Sequence, residues 1–223
     1  MPRSHRADIG GLAYHVLNRA NSRTKIFRVD QDYAAFEKVL RQGSKRVGMR
    51  ILAYCLMPNH WHLVLLPRKN GDLSKFMAWI SMTHAARWHK SRGDVGTGHL
   101  YQGRYKSSII QADRHFLAVA RYVEGNARRA DLVKQAEKWR WGSLWRRINE
   151  EPMQGVYEDW PVHRPRDWAK VVNSLHTTKD LKEMRESILK GRPCGEKAWQ
   201  IETAKRYGLL ASIHPRGRPR NNP

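Results

Sequence analysis

Two histidines stand one residue apart in the stretch C-L-M-P-N-H-W-H-L-V-L-L-P, residues 55–67. The apolar run around them predicts a strand over 60–66. Side chains alternate along a strand, so His60 and His62 share one face, while Trp61, Leu63 and Leu65 share the other. Two imidazoles at i and i+2 can share one metal ion if a third ligand comes from elsewhere in the fold. Two ordinary, unconnected histidines are the other reading of such a pair. The three-histidine pattern of nucleotide hydrolases, H-φ-H-φ-H, is broken because Val64 stands at its third position.

A second group lies downstream, in D-R-H-F-L-A-V-A-R-Y-V-E-G-N-A-R-R, where a helix is expected from about Asp113 to Arg128. Phe116, Leu117, Ala120 and Val123 line one side of it. Tyr122 and Asn126 are four apart and share a helix face. Two imidazoles and an amide oxygen leave open positions on a hard divalent ion such as Mg²⁺ or Mn²⁺. Such an ion polarises a scissile phosphate, and an adjacent phenol can attack it to give a phosphotyrosine link. Taken singly, Tyr122 also reads as a packed core aromatic. Asn126 also reads as a residue that ends the helix together with Gly125.

The charge of the chain fits a polyanionic substrate. Lys and Arg number 42 against 20 Asp and Glu, a net charge of +22 over 223 residues. A soluble chain this basic is usually built for nucleic acid. No long basic amphipathic helix points to a membrane surface. No apolar run approaches the roughly 20 residues that span a bilayer. The two cysteines, Cys55 and Cys194, have no metal spacing and make no disulfide framework, so a reducing cytoplasm is expected. The opening M-P-R-S-H-R-A-D lacks the apolar core of a signal peptide.

These groups need a scaffold. Strands are expected over 12–20, 49–57, 60–66 and 100–111, and helices over 30–42, capped by Asp30, and 72–90. With the helix that begins near Asp113 the order is β-α-β-β-α-β-α, an α+β fold. Its first six elements make the ferredoxin-like, split βαβ arrangement of an antiparallel sheet with helices. Composition changes after residue 135. Trp139, Trp141, Trp145, Trp160 and Trp168 crowd together and predict a small second core. A charged helix follows over 178–190, the break G-R-P-C-G over 191–195, and a short helix over about 196–207. Two units are therefore expected: residues 1–135 as a catalytic domain, and residues 136–223 as a basic helical and irregular extension for DNA recognition.

The motif P-N-H-W-H-L-V-L resembles the HUH signature shared by rolling-circle initiators, relaxases and single-tyrosine transposases. Four further pieces are similar, in order, to REP-associated tyrosine transposases: Y-H-V-L-N-R-A-N-S-R-T-K-I-F (14–27), Y-Q-G-R-Y-K-S (101–107), R-Y-V-E-G-N-A-R-R-A-D-L-V (121–133) and W-R-W-G-S (139–143). The C-terminal pieces G-R-P-C-G, T-A-K-R-Y-G-L and R-G-R-P-R resemble that family too. The resemblance implies a metal-dependent enzyme that cleaves and rejoins single-stranded DNA at repetitive extragenic palindromes, which fold as hairpins. It implies His60, His62 and Asn126 as ligands of Mg²⁺ or Mn²⁺ and Tyr122 as nucleophile. Related insertion-sequence enzymes carry Gln at the third-ligand position, and many relatives have Asn-Pro where this chain has Asn126-Ala127.

A track for the strand is read from cations and amides near these groups: Asn18, Arg19, Asn21, Arg23 and Lys25 after the first strand, Arg104, Tyr105 and Lys106 on the fourth, and Arg128 and Arg129 after the tyrosine. Cations on phosphates with aromatics under bases are how single strands are gripped. The tail R-G-R-P-R, with Arg216, Arg218 and Arg220, resembles an A·T minor-groove hook. His15, on a strand, could approach the site but reads as a satisfied structural histidine. Two competing readings are a domesticated transposase that binds palindromes without cutting, and an RNA-directed basic protein. A monomer is expected, with a dimer as the alternative, acting on DNA in the bacterial cytoplasm in association with the nucleoid.

Overall fold

The computed structural model describes residues 6–156 and 159–213. In chain order it holds β1 (Ala13–Arg19), α1 (Asp30–Val47), β2 (Arg50–Met57), β3 (His60–Leu66), α2 (Asp72–Arg92), β4 (Lys106–Ile110) and α3 (Arg114–Glu124). Then come α4 (Asn126–Arg129), α5 (Ser143–Ile148), α6 (Trp168–Asn173), α7 (Thr178–Lys190) and α8 (Lys197–Arg206). The strands form one antiparallel sheet in the order β2-β3-β1-β4, so the fold is the expected α+β, split βαβ arrangement.

Each face of the sheet carries its own core. On one, Val16, Tyr54, Leu56, Trp61, Leu63 and Leu65 pack with Phe36 and Leu40 of α1 and Phe76 and Ile80 of α2. On the other, Leu52, Ala53, Cys55 and Val64 pack with Phe116, Val119 and Val123 of α3. β2 is apolar throughout because both of its faces are covered.

Several elements differ from the sequence reading for local reasons. α1 continues past residue 42 to Val47 because Gly43 sits where α2 crosses it. A Cβ there would meet Ile80 Cγ2 at 2.8 Å. The helix stops at Gly48, which takes the left-handed φ of 75° that glycine tolerates. Asp30 does not cap α1 but is its first helical residue. The Asp32 carboxylate instead accepts the N–H of Arg28 at 2.8 Å and of Val29 at 3.4 Å, and pairs with Arg92 of α2 at 2.9 Å.

β4 begins at Lys106, not at residue 100. Residues 100–105 keep one bridge, Tyr101 to Ala20, and Leu100 and Tyr101 turn inward as core plugs, which is why the stretch reads as strand. The helix expected over 113–128 is two helices, α3 and α4, with Gly125 between them. Asp113 caps α3, accepting the His115 N–H at 2.8 Å.

The tryptophans do not form a core of their own. Trp141 stacks on Tyr33 at 5.0 Å in the first core. Trp160 meets Phe116 at 5.3 Å and Trp168 at 5.2 Å in the second. The segments after residue 135 also cover both sheet edges. On β2, Ile51 N–H donates to Gly155 O and Leu56 N–H to Trp141 O, each at 2.9 Å. Beside β4, Cys194 N–H donates to Ile109 O at 2.7 Å and Gln111 N–H to Cys194 O at 2.9 Å. An exposed strand edge invites pairing with another chain, and both edges here are occupied. Among the described residues no helix is long and apolar enough to cross a membrane.

Candidate active site

Strand register brings the histidines under α3. Leu17 stands opposite His62 and Arg19 opposite His60 across the β1–β3 pair. α3 lies on this face because Phe116, Val119, Ala120 and Val123 bury their side chains against it. Tyr122 is carried with them, only 7% exposed. The His60 and His62 rings are 5.2 Å apart, and the Tyr122 ring is 5.7 Å from His62. Asn126, at the start of α4, is 9% exposed. It shares with the other three a cleft of about 690 Å³. The break at Gly125 places Tyr122 and Asn126 on separate helices yet leaves both at the same cleft.

The end of α3 is clamped by a buried carboxylate. Glu124 accepts from Ser143 Oγ and Arg147 Nη1 on α5, and from Trp168 Nε1 on α6 at 2.6 Å. Three donors from the later segments thus fix the helix that carries the tyrosine. Arg129 lies 4.2 Å over the Tyr122 ring and donates to the Tyr122 carbonyl at 2.5 Å. The His176 ring meets the Tyr122 ring edge-on at 6.3 Å.

The imidazoles are wired through their Nδ1 atoms. His60 Nδ1 is 2.7 Å from Asn59 Oδ1, and His62 Nδ1 is 2.8 Å from His15 Nε2. Burial pushes His60 down to about 4, with the Arg19 charge adding to it. His62 is held well below the ordinary histidine range by burial first, then by His15, His60, Arg129 and Arg19. Burial, and then Arg129, takes His15 down to about 3. At neutral pH these rings are uncharged, the form in which imidazole binds a cation.

This donor set fits a divalent metal. Two neutral imidazoles have Nδ1 engaged and Nε2 without a hydrogen-bond partner among the described residues. The Asn126 amide lines the same cleft, as do the amides of Asn18 and Gln102. Among the described residues no group of three or more His, Cys, Asp and Glu is placed to hold a metal. Oxygen and imidazole donors with open positions suit Mg²⁺ or Mn²⁺.

Of the residues read as a DNA track, Asn18, Arg19, Arg104, Lys106 and Arg129 line the cleft. Asn21 and Arg23 form an exposed 3₁₀ turn after β1, and Lys25 follows it, also exposed. Tyr105 lies under Arg6 at 4.6 Å and packs on the first core. Arg128 turns to the Lys134 carbonyl at 3.2 Å and lines a separate cavity of about 450 Å³. Arg216, Arg218 and Arg220 lie outside the described residues.

His15 is satisfied, as expected, but its partner is His62 itself. Arg185 and Ile188 of α7 also wall the cleft, and nothing local in their sequence links them to the histidines. α7 is held there by Ser187, whose hydroxyl is 2.7 Å from Ser108 of β4.

The family model described as "Transposase IS200 like" matches residues 9–126, more than half of the 223. The chain belongs to the IS200-like transposase family. It is also similar, at 22% identity over 160 residues, to a Haemophilus influenzae protein described as a REP-associated tyrosine transposase, covering 68% of this chain and 88% of that one. Among solved structures, a REP-associated tyrosine transposase bound to a REP hairpin superposes with a TM-score of 0.56 at 18% identity, over 69% of this chain and 90% of the other. A Deinococcus radiodurans chain described as a transposase matches at a TM-score of 0.40 and 20% identity, over 55% and 96%. The resemblance read from the motifs and the fold thus agree with the relatives found.

Proposed function

We infer that this chain is a metal-dependent, HUH-type single-tyrosine DNA strand transferase that cleaves and rejoins single-stranded DNA at palindromic hairpins. The observation that carries the reading is the meeting of Tyr122, the neutral His60–His62 pair and Asn126 in one cleft edged by Arg19, Arg104, Lys106 and Arg129. Membership of the IS200-like family and the net charge of +22 support it. The hairpin bound by the solved relative suggests a repetitive extragenic palindrome as the substrate.

A divalent Mg²⁺ or Mn²⁺ held by His60, His62 and Asn126 would polarise the scissile phosphate and offset charge developing on it. Tyr122 Oη attacks phosphorus, the P–O3′ bond breaks, and a 5′-phosphotyrosine ester forms. The phenol loses its proton and the departing 3′ oxygen gains one, so a free 3′-hydroxyl is left. Rejoining is the reverse attack by a 3′-hydroxyl, and the ester bond is conserved throughout. Arg129 over the ring and Glu124 at the helix end keep the phenol from swinging away. The cations along the cleft hold the backbone of the strand, with the exposed turn of Asn21, Arg23 and Lys25 extending the track and Arg216, Arg218 and Arg220 adding charge from the tail. Residues 1–135 carry the chemistry and most of the track, and 136–223 extend the recognition surface. Occupied sheet edges favour a monomer, and the DNA substrate fits a cytoplasmic enzyme.

The test is a denaturing gel with labelled single-stranded hairpins, with Mg²⁺ or Mn²⁺ and with chelator. A covalent protein–DNA adduct that needs metal and is absent in Tyr122→Phe is the expected result. Tight hairpin binding with no adduct under either metal would instead identify a non-cleaving binder.

A further inference from the structure

We propose that Asn59 is a positioning residue for His60: its amide fixes the ring proton on Nδ1 and leaves Nε2 bare for the cleft. Asn59 sits in the tight turn between β2 and β3. Its Nδ2 donates to the Arg23 carbonyl at 3.3 Å, and its Oδ1 lies 2.7 Å from His60 Nδ1. A carbonyl oxygen only accepts, so the end of the amide that faces Arg23 has to be the NH₂. The end that faces His60 is then the oxygen, which also only accepts. His60 Nδ1 is left as the sole possible donor. A neutral imidazole carries one N–H, so Nε2 holds a lone pair. The reversed amide would set two acceptors 3.3 Å apart and lose the Arg23 bond.

The backbone makes this arrangement hard to escape. Asn59 O accepts the Ala20 N–H at 2.9 Å, and Pro58 O accepts Ile26 N–H at 2.8 Å and Phe27 N–H at 3.0 Å. The Arg23 carbonyl reaches Asn59 from a turn in which Ser22 and Arg23 take φ of 50° and 55°. Those left-handed values are uncommon for residues with side chains and persist only where the surroundings hold them. One amide therefore ties the exposed turn of Asn21, Arg23 and Lys25 to the ring of His60. His62 differs, since its partner His15 is an imidazole that can donate or accept. His60 is the ring whose tautomer the surroundings dictate.

The inference rests on the proposed metal for its purpose, but the tautomer can be read without metal. Long-range ¹H–¹⁵N correlation spectra of the metal-free full chain near neutral pH should show His60 as the Nδ1–H form. An Nε2–H form in the wild-type protein overturns the proposal. Asn59→Asp removes the donor to Arg23 but offers His60 only acceptors, so it should keep the Nδ1–H form. Asn59→Ala removes both and should bind Mn²⁺ about 10–100-fold more weakly, as loss of an outer-shell partner does. A folded Asn59→Ala chain with wild-type tautomer and Mn²⁺ affinity overturns the proposal. Equal Mn²⁺ affinity in wild type and His60→Ala would overturn the metal reading instead, while the tautomer spectrum still decides the role of Asn59. If Asn59→Ala does not fold, the wild-type and Asn59→Asp spectra decide alone.

Discussion

The sheet presents two faces built from the same strands, and they are closed by different means. The Trp61 face is sealed by α1 and α2, which lie between the strands in sequence and bury Phe36, Leu40, Phe76 and Ile80 against it. The His60–His62 face is covered by α3 together with segments from beyond residue 135, and these leave a cleft of about 690 Å³ at one end. The period of two in β3 lets adjacent residues serve opposite purposes. Trp61 is fully buried and donates to Tyr101 Oη at 3.0 Å, whereas its two neighbours turn to the cleft. The first face is core throughout, whereas the second holds both a core and the cleft of the proposed chemistry, with the later segments tied to it through Glu124.

The sharpest separation should come from Tyr122→Phe. Adduct formation should fall on the order of 10³-fold or more, since a lost nucleophile cannot be replaced by the remaining groups. Hairpin affinity measured by fluorescence anisotropy should stay close to wild type. Trp61→Ala should behave in the opposite way, losing about 3–5 kcal/mol in urea unfolding through the cavity it opens. A comparable stability loss in His60→Ala would blur the two faces. Glu124→Ala tests the tie between the second face and the later segments. Removing the carboxylate takes away the acceptor that Ser143, Arg147 and Trp168 share, a change that should cost about 1–3 kcal/mol. A thermal melt unchanged by that substitution would show that the clamp does not hold the tyrosine helix.

Both faces hold buried neutral histidines. His84, stacked against Phe27 and bonded to Tyr101, is taken down to about 3 by burial, as is His15 on the other side. In the unfolded chain they titrate near 6.5, so between those values the unfolded state binds more protons. Stability of the metal-free protein should therefore be full above about 6.5. It should fall as the pH drops toward about 3, by about 1.4 kcal/mol per pH unit for each such histidine. Flat stability across that window, followed by chemical denaturation, would contradict the burial. The smallest effect concerns the cleft rim. Arg19→Ala and Arg104→Ala should each lower the slope of log affinity against log salt by about one. An unchanged slope would place the strand elsewhere.

How much of this was legible in the sequence follows from which interactions are local. Alternation placed His60 and His62 on one face because it depends only on nearest residues, whereas the shared helix face expected of Tyr122 and Asn126 is interrupted at Gly125 although both reach the same cleft. The strand order followed from the order of elements. The extent of α1 was missed because the crossing at Gly43 is a contact with α2. β4 was read too long because Leu100 and Tyr101 are apolar as core plugs rather than as strand. Arg185 and Ile188 left no local trace, since α7 reaches the cleft only through its contact with β4. His15 was legible as a buried histidine on a strand, but its pairing with His62 depends on how the strands pack.

The most direct test of the central claim is to locate the covalent bond. The adduct formed with a single-stranded hairpin would be treated with nuclease and trypsin, and the peptides read by tandem mass spectrometry. The account predicts a nucleotide remnant on the tyrosine of Y-V-E-G-N-A-R, the peptide from Tyr122 to Arg128. A remnant on any other residue, or cleavage of the hairpin with this peptide unmodified, would contradict it.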